Sequence, residues 1–165
     1  MEIKLSLTLP RDSYSIPVAR RVLAGALRVL GVEESQLTDI ELALTEAVTN
    51  VLDHAQTTDV YEVSAGVHGT TCVIEVVDHG GGFDSSMQGI ADAEAGAESG
   101  RGVQLMRALV DRVDFINHPH DGTVVHLEKE LRCTGGSTLE RLGLPAAQDG
   151  QWAREDNGED RAEPA

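Results

Sequence analysis

The first thirty residues show two different spacings of apolar residues, which predict a strand followed by a helix. At the beginning, apolar and polar residues alternate, as expected of a strand with one buried face. The apolar positions of this strand are Ile3, Leu5, Leu7 and Leu9. Ser15 and Pro17 then open a stretch with helical spacing, and Gly31 ends it. The predicted apolar stripe of this helix consists of Val18, Val22, Ala26, Leu27 and Leu30.

A second helix is the most strongly periodic element of the chain. Thr38 or Asp39 is expected to cap its beginning, because either side chain can accept a hydrogen bond from a free backbone N–H group. The apolar residues that follow recur at the spacing of one helix face. They are Ile40, Leu44, Ala47, Val48, Val51, Leu52 and Ala55.

The rest of the pattern predicts four more strands and a third helix. The strands are expected near residues 60–67, 71–77, 112–116 and 123–131, and the helix at residues 102–110. The first two of these strands are joined by His68-Gly69-Thr70, a turn short enough for an antiparallel hairpin. Residues 84–99 are small and polar without periodicity, which indicates a mobile loop inside the domain.

The order of these elements predicts an α/β fold of the α+β type. Strands and helices are mixed without regular βαβ alternation, which favours a two-layer sandwich. We expect a mixed, mostly antiparallel sheet with helices on one face. Apolar periodicity fades after Arg132, so the folded domain is predicted to span residues 1–132. Residues 133–165 are predicted to form an acidic, disordered tail.

Charge and composition narrow the range of functions. The formal net charge of −15 repels phosphate backbones and anionic lipids, so direct binding of nucleic acid or membranes is disfavoured. The first residues do not resemble a secretory signal, and no apolar run approaches membrane-spanning length, which predicts a cytoplasmic location. Cys72 and Cys133 lie far apart and suggest neither a metal pair nor a disulfide framework.

One edge of the second helix carries polar residues that suit nucleotide chemistry. Glu46, Asn50 and His54 are spaced by four residues and therefore lie along one line beside the apolar stripe. An Asn oxygen can be a ligand for Mg²⁺, while a Glu can polarise a hydroxyl group or water. An ordinary solvated helix edge explains the same spacing when it is taken alone.

Two glycine-rich segments follow at the ends of predicted elements. Asp78 ends an apolar strand and precedes Gly80-Gly81-Gly82; its carboxylate can accept a hydrogen bond from the amine of adenine, and the glycines allow close approach of a ligand. Gly100-Arg101-Gly102 lies where the loop meets the third helix, so its N–H groups offer a phosphate site. A tight turn and simple helix capping are the respective alternatives.

These three features, in this order, resemble the N box and the two glycine boxes of the GHKL ATPase superfamily, which has the Bergerat ATP-binding fold. Within it, the sequence most resembles the RsbW and SpoIIAB anti-sigma-factor kinases. The resemblance runs from about Leu5 to Leu131. The matching segments are Glu46 to Asn50 with His54-Ala55, Asp78 to Phe83, Gly100 to Met106, and Gly122-Thr123.

The resemblance implies a role for each matching residue. Glu46 would be the general base, Asn50 the magnesium ligand and Asp78 the acceptor for adenine. Gly80, Gly82, Gly100 and Gly102 would shape the pocket and its lid, with Arg101 near the phosphates and Thr123 near the base. Residues 84–99 would form the lid over ATP. His54 receives no catalytic role.

The resemblance also implies a function that needs ATP and Mg²⁺. It is that of an anti-sigma factor and serine/threonine kinase, which sequesters a sigma factor, phosphorylates an antagonist of the STAS type and forms a homodimer. The main alternative is a nucleotide-binding module that sequesters its partner without catalysis. A sensor histidine kinase is disfavoured because no His precedes His54. A metal site at His118, His120 and His126 lacks any zinc spacing.

Overall fold

The chain folds around one antiparallel sheet. The computed structural model describes residues 2–54, 59–78, 98–118 and 122–143. Within those ranges its strands are β1 (Ile3–Pro10), β2 (Val60–His68), β3 (Thr71–Asp78), β4 (Arg112–His118) and β5 (Gly122–Glu130). Their order across the sheet is β1-β2-β3-β5-β4, and each neighbouring pair is antiparallel. The predicted hairpin and the predicted α+β class are both confirmed.

Four helices accompany the sheet in the described part of the chain. They are α1 (Ile16–Leu30), α2 (Glu34–His54), α3 (Glu98–Leu109) and the short α4 (Thr138–Arg141). β2 and β3 bury every second residue, and α2 packs against β3 and β5 on that buried side. Ile74 illustrates the register, since it lies opposite Ala65 on one side and Leu127 on the other, and all three are buried. The core therefore lies between the sheet and the helices.

The apolar stripe predicted for α1 is partly wrong. The side chains that α1 buries are Ala19, Leu23, Ala24, Leu27 and Leu30. Val18 and Val22, which were assigned to the stripe, are 48% and 38% exposed, and Ala26 is exposed as well. The helix carries two apolar stripes side by side, and spacing alone does not say which one faces the sheet. The Pro17 start and the Gly31 end are confirmed.

Two helices begin earlier than their sequences predicted. The start of α2 lies at Glu34, and the backbone N–H groups of Gln36 and Leu37 already donate to the carbonyl oxygen of Glu33. Thr38 therefore lies inside the helix, where its hydroxyl donates to the carbonyl oxygen of Glu34 instead of capping. Similarly, α3 begins at Glu98, which the sequence assigned to the loop. None of the helices in the described ranges is long and apolar enough to cross a membrane.

The packed chain continues past the predicted boundary at residue 132. Cys133 forms a β-bridge with Val32, and buried Leu139 of α4 packs with the core. Gln36 secures this segment from α2, because its buried amide donates to the carbonyl oxygen of Glu130 at 2.9 Å and accepts from the N–H group of Arg132. The predicted tail therefore starts too early; residues 144–165 lie outside the described residues.

Gly31 is the point where this C-terminal segment meets α1. Its φ of +90° is unfavourable for any residue with a side chain, and a Cβ there would lie 2.6 Å from the Cβ of Ser137. We expect Gly31→Ala to lower the free energy of unfolding by about 1–3 kcal/mol. Gly25→Ala, in the interior of α1 with nothing within 4 Å, should raise it by about 0.5–1 kcal/mol.

Urea unfolding of the two variants beside the wild type measures both changes. Because each substitution adds one methyl group to a glycine of the same helix or its cap, the pair separates the strain at Gly31 from the general effect of helix propensity. Equal changes of the same sign in both variants would contradict the close contact between α1 and Ser137.

Candidate functional site

The polar edge of α2 lies beside its buried apolar face. Glu46 and Asn50 are half-buried, and their neighbours Ala47 and Val48 are fully buried. Because four residues make slightly more than one helical turn, Glu46 and Asn50 point from consecutive turns in nearly the same direction. The packing of the apolar face therefore fixes the direction of both polar side chains.

α3 approaches this edge through Gly102. A Cβ on Gly102 would lie 2.8 Å from Oε2 of Glu46 and 3.8 Å from Oδ1 of Asn50. The first distance is too short for a carbon and a carboxylate oxygen, so a side chain at this position would displace the Glu46 carboxylate. The structure thus brings Glu46, Asn50 and Gly102 together, although they come from two predicted motifs that are about fifty residues apart.

A second polar pair lies at the end of the sheet. Asp78 is the last residue of β3, and it lies directly opposite Thr123 of β5. Both residues are buried, with relative exposures of 1% and 4%, because they continue the helix-facing positions of their strands. A carboxylate and a hydroxyl group are therefore held side by side on the inner face of the sheet.

Arg11, which was not among the predicted site residues, connects the polar edge of α2 with the end of β3. Its Nη2 atom donates to Oδ2 of Asp78 at 3.0 Å and to the carbonyl oxygen of Val51 at 2.8 Å. Val51 is the residue after Asn50, so one guanidinium connects the polar edge of α2 to the end of β3. The sequence does contain a signal for this residue. Arg11 continues the alternation of β1 after Leu7 and Leu9, which predicts that its side chain points toward the core.

The other predicted site residues have different outcomes. Gly100 and Arg101 lie in the first turn of α3, and the Arg101 side chain is exposed. Gly80 and Gly82 lie outside the described residues, as do residues 84–97 of the predicted lid. His54 is the last residue of α2, and its side chain also lies outside the described part.

His126, one of the three histidines whose spacing fits no zinc site, lies on the other face of the sheet. Its ring nitrogens face two carboxylates, Nδ1 at 3.2 Å from Oε1 of Glu75 and Nε2 at 2.8 Å from Oε1 of Glu128. Strand alternation places it away from α2 and the polar groups described above. The His126 side chain therefore lies on the opposite face of the sheet from Asp78 and Thr123.

The donor atoms present fit a magnesium nucleotide. The Asn50 amide oxygen is a hard ligand of the kind that Mg²⁺ prefers, and the absence of a Cβ on Gly102 leaves space beside it. Asp78 and Thr123 supply an acceptor and a hydroxyl group in a buried position, as recognition of a base requires. The fold and this set of groups are those expected of a nucleotide-binding α+β domain.

Comparison with known proteins gives the family. Residues 9–129 match the model of the histidine kinase-like ATPase domain, which covers most of the chain, including α1 to α3 and nearly all of β2 to β5. The chain therefore belongs to the histidine kinase-like ATPase family. The resemblance to this superfamily and to its RsbW-type members, which the sequence motifs had indicated, is confirmed.

Individual relatives point the same way. The chain is 29% identical over 139 residues to a serine-protein kinase RsbW of Bacillus cereus (strain AH820), an alignment that covers 78% of this chain and 86% of that protein. A serine-protein kinase RsbW of Bacillus thuringiensis (strain Al Hakam) is 28% identical over the same length. These relatives align with almost their whole length, so the similarity extends well beyond the short motifs.

A solved structure has the same fold. It contains the RsbU and RsbW domains of Rv1364c from Mycobacterium tuberculosis, and it superposes with a TM-score of 0.60 at 22% sequence identity. The superposition covers 78% of this chain and 32% of the other one, so this chain spans about a third of that protein. The agreement supports the observed arrangement of sheet and helices.

The contact at Gly102 can be tested by a double-mutant cycle. We expect Gly102→Ala to displace the Glu46 carboxylate, and the penalty should vanish when the side chain is shortened by Glu46→Ala. The two substitutions should therefore be coupled by about 0.5 kcal/mol or more in the free energy of unfolding. Gly100→Ala, in the same helix with nothing within 4 Å, is the matched control and should be additive with Glu46→Ala. Additivity in both cycles would refute the contact.

Proposed function

We propose that this protein is an ATP-dependent serine/threonine kinase and anti-sigma factor. It sequesters a sigma factor and transfers the γ-phosphoryl group of ATP to a Ser or Thr of an antagonist protein of the STAS type. Such a switch would operate in the cytoplasm, and we expect the protein to act as a homodimer. The relatives named serine-protein kinase RsbW support the assignment of a kinase.

One observation supports the proposal most directly: the backbone of Gly102 lies beside the Glu46 and Asn50 side chains, with no Cβ between them. This arrangement supports a site with a base and a magnesium ligand beside the first turn of α3, where free N–H groups favour phosphate oxygens. Asp78 and Thr123 would receive the adenine ring at the end of the sheet. The exposed Arg101 would approach the phosphates from α3.

Phosphoryl transfer assigns a separate task to each group. The antagonist hydroxyl attacks the γ-phosphorus as the bond to the β–γ bridging oxygen breaks, so ADP leaves and a phosphate ester forms. Glu46 orients the hydroxyl and accepts its proton. Asn50 would hold Mg²⁺, which when bound neutralises charge on the phosphate oxygens. The N–H groups of α3 stabilise the same oxygens by hydrogen bonds.

The magnesium role of Asn50 predicts a specific binding defect. We expect Asn50→Ala to weaken ATP binding about tenfold or more with Mg²⁺ present, since the substitution removes an oxygen ligand. The same variant should bind ATP like the wild type in the presence of EDTA. Asn50→Asp keeps an oxygen at this position and should retain the magnesium effect. Isothermal titration with ATP measures all three proteins, and an equal loss with and without Mg²⁺ would contradict the role.

The base role of Glu46 predicts a defect in transfer rather than in binding. We expect Glu46→Gln to slow phosphorylation of a purified antagonist by about 100-fold or more, because general bases contribute factors of this size. Its affinity for ATP should change little. Incubation of each variant with labelled ATP, Mg²⁺ and the purified antagonist measures the rate of transfer. Glu41→Gln on the same helix is the matched control.

The transfer experiment tests the kinase assignment and the role of Glu46 separately. Wild-type protein that binds ATP but leaves no label on the antagonist would leave the alternative of a module that acts by sequestration alone. Unchanged transfer by Glu46→Gln would keep the kinase but take away the proposed base. Retained sigma-factor inhibition and antagonist release in that variant would also favour the sequestration module.

A further inference from the structure

The Asp78 carboxylate lies in a position that needs a compensating charge. It is 1% exposed, and its Oδ2 atom lies 3.0 Å from Nη2 of Arg11, whose own side chain is 14% exposed. Removing a carboxylate from water is costly unless it is paired and hydrogen-bonded. Arg11 supplies the paired charge and the hydrogen bond that a buried carboxylate at the end of β3 requires.

The same guanidinium also contacts the C-terminal end of α2. Nη2 of Arg11 donates to the carbonyl oxygen of Val51, at 2.8 Å. This carbonyl belongs to the last turn of α2, where carbonyl oxygens lack partners within the helix and a cation is favourable. Asp78 and the turn that follows Asn50 are thus held at a fixed separation by one side chain.

The backbone of Arg11 is itself held in place. Its N–H group donates to the carbonyl oxygen of Asp59 at 2.8 Å, and the preceding Pro10 lies opposite Val60 in the β1–β2 pair. The following residue, Asp12, accepts a hydrogen bond from the N–H group of Tyr14 and so fixes the turn into α1. Arg11 therefore extends from a rigid strand end toward the carboxylate.

We propose that Arg11 is the positioning residue for recognition of the nucleotide base, an inference that rests on the function proposed above. By holding Oδ2 of Asp78, it sets the plane of the carboxylate, so that the acid accepts a hydrogen bond from the 6-amino group of a purine. A 6-oxo group at the same position is an acceptor and would face the negative charge of Asp78. Arg11 would therefore maintain the preference for adenine over hypoxanthine.

The test compares ATP with ITP, which differ at the 6-position of the base. We expect the wild type to bind Mg-ATP at least about tenfold more tightly than Mg-ITP, a difference of about 1.4 kcal/mol. Arg11→Met should lose most of this preference because the carboxylate is no longer oriented. Arg11→Lys retains the charge but not the fork of N–H donors, and should recover part of it.

Arg21→Met is the matched control, since Arg21 is an exposed arginine of α1. It should bind both nucleotides like the wild type. If Arg11→Met fails to fold because the ion pair with Asp78 is lost, Arg11→Lys and Arg11→Gln provide the test instead, since both keep a donor at the site. Urea unfolding reports stability beside each titration.

The outcomes separate the inference from the proposed function. Equal weakening of ATP and ITP in the Arg11 variants, with the preference kept, would make Arg11 a purely structural residue and overturn the inference. A wild type that binds both nucleotides equally would overturn it as well, while leaving the kinase intact. A wild type that binds neither nucleotide would remove the proposed function along with it.

Discussion

The candidate site depends on the packing of one helix. α2 buries Ala43, Leu44, Ala47 and Val48 against the sheet and its neighbouring helices, and the fixed angle between successive residues then leaves no choice about where Glu46 and Asn50 point. α3 approaches that line at Gly102, where a Cβ would lie only 2.8 Å from Oε2 of Glu46. The polar groups of the site are thus oriented by apolar contacts that are not themselves part of the chemistry.

The sequence predicted much of this arrangement because its signals were local. The hairpin between β2 and β3, the apolar face of α2 from Ile40 to Val51 and the Gly31 end of α1 each depend on neighbouring residues, and all three are confirmed. The errors arose where long-range contacts decide. Which stripe of α1 faces inward depends on the sheet, and the early start of α2 is supported by contacts between Gln36 and the chain after β5, almost a hundred residues later.

Arg11 shows the same limit within the site itself. Its position in the alternation of β1 indicates that a cation enters the core, but its partners lie 40 and 67 residues away on two other elements. The family motifs do not indicate Arg11 either, because it lies outside the N box and the glycine boxes. A role for a buried charge can be proposed only when the groups that it contacts are known. For Arg11 these groups lie at the end of β3 and in the last turn of α2, and only the three-dimensional structure brings them together.

The site accordingly consists of two parts with different physical demands. Between α2 and α3, the end of the Glu46 side chain can move away from Gly102, so a small change there shifts the proposed base without unfolding the domain. At the end of β3, Asp78 is almost fully buried, so loss of the Arg11 charge would remove an ion pair in a region of low polarity. Arg11 joins the two parts, since one of its nitrogens contacts both. A displacement at the proposed base-binding end would therefore reach the last turn of α2 through this side chain, close to the proposed magnesium ligand.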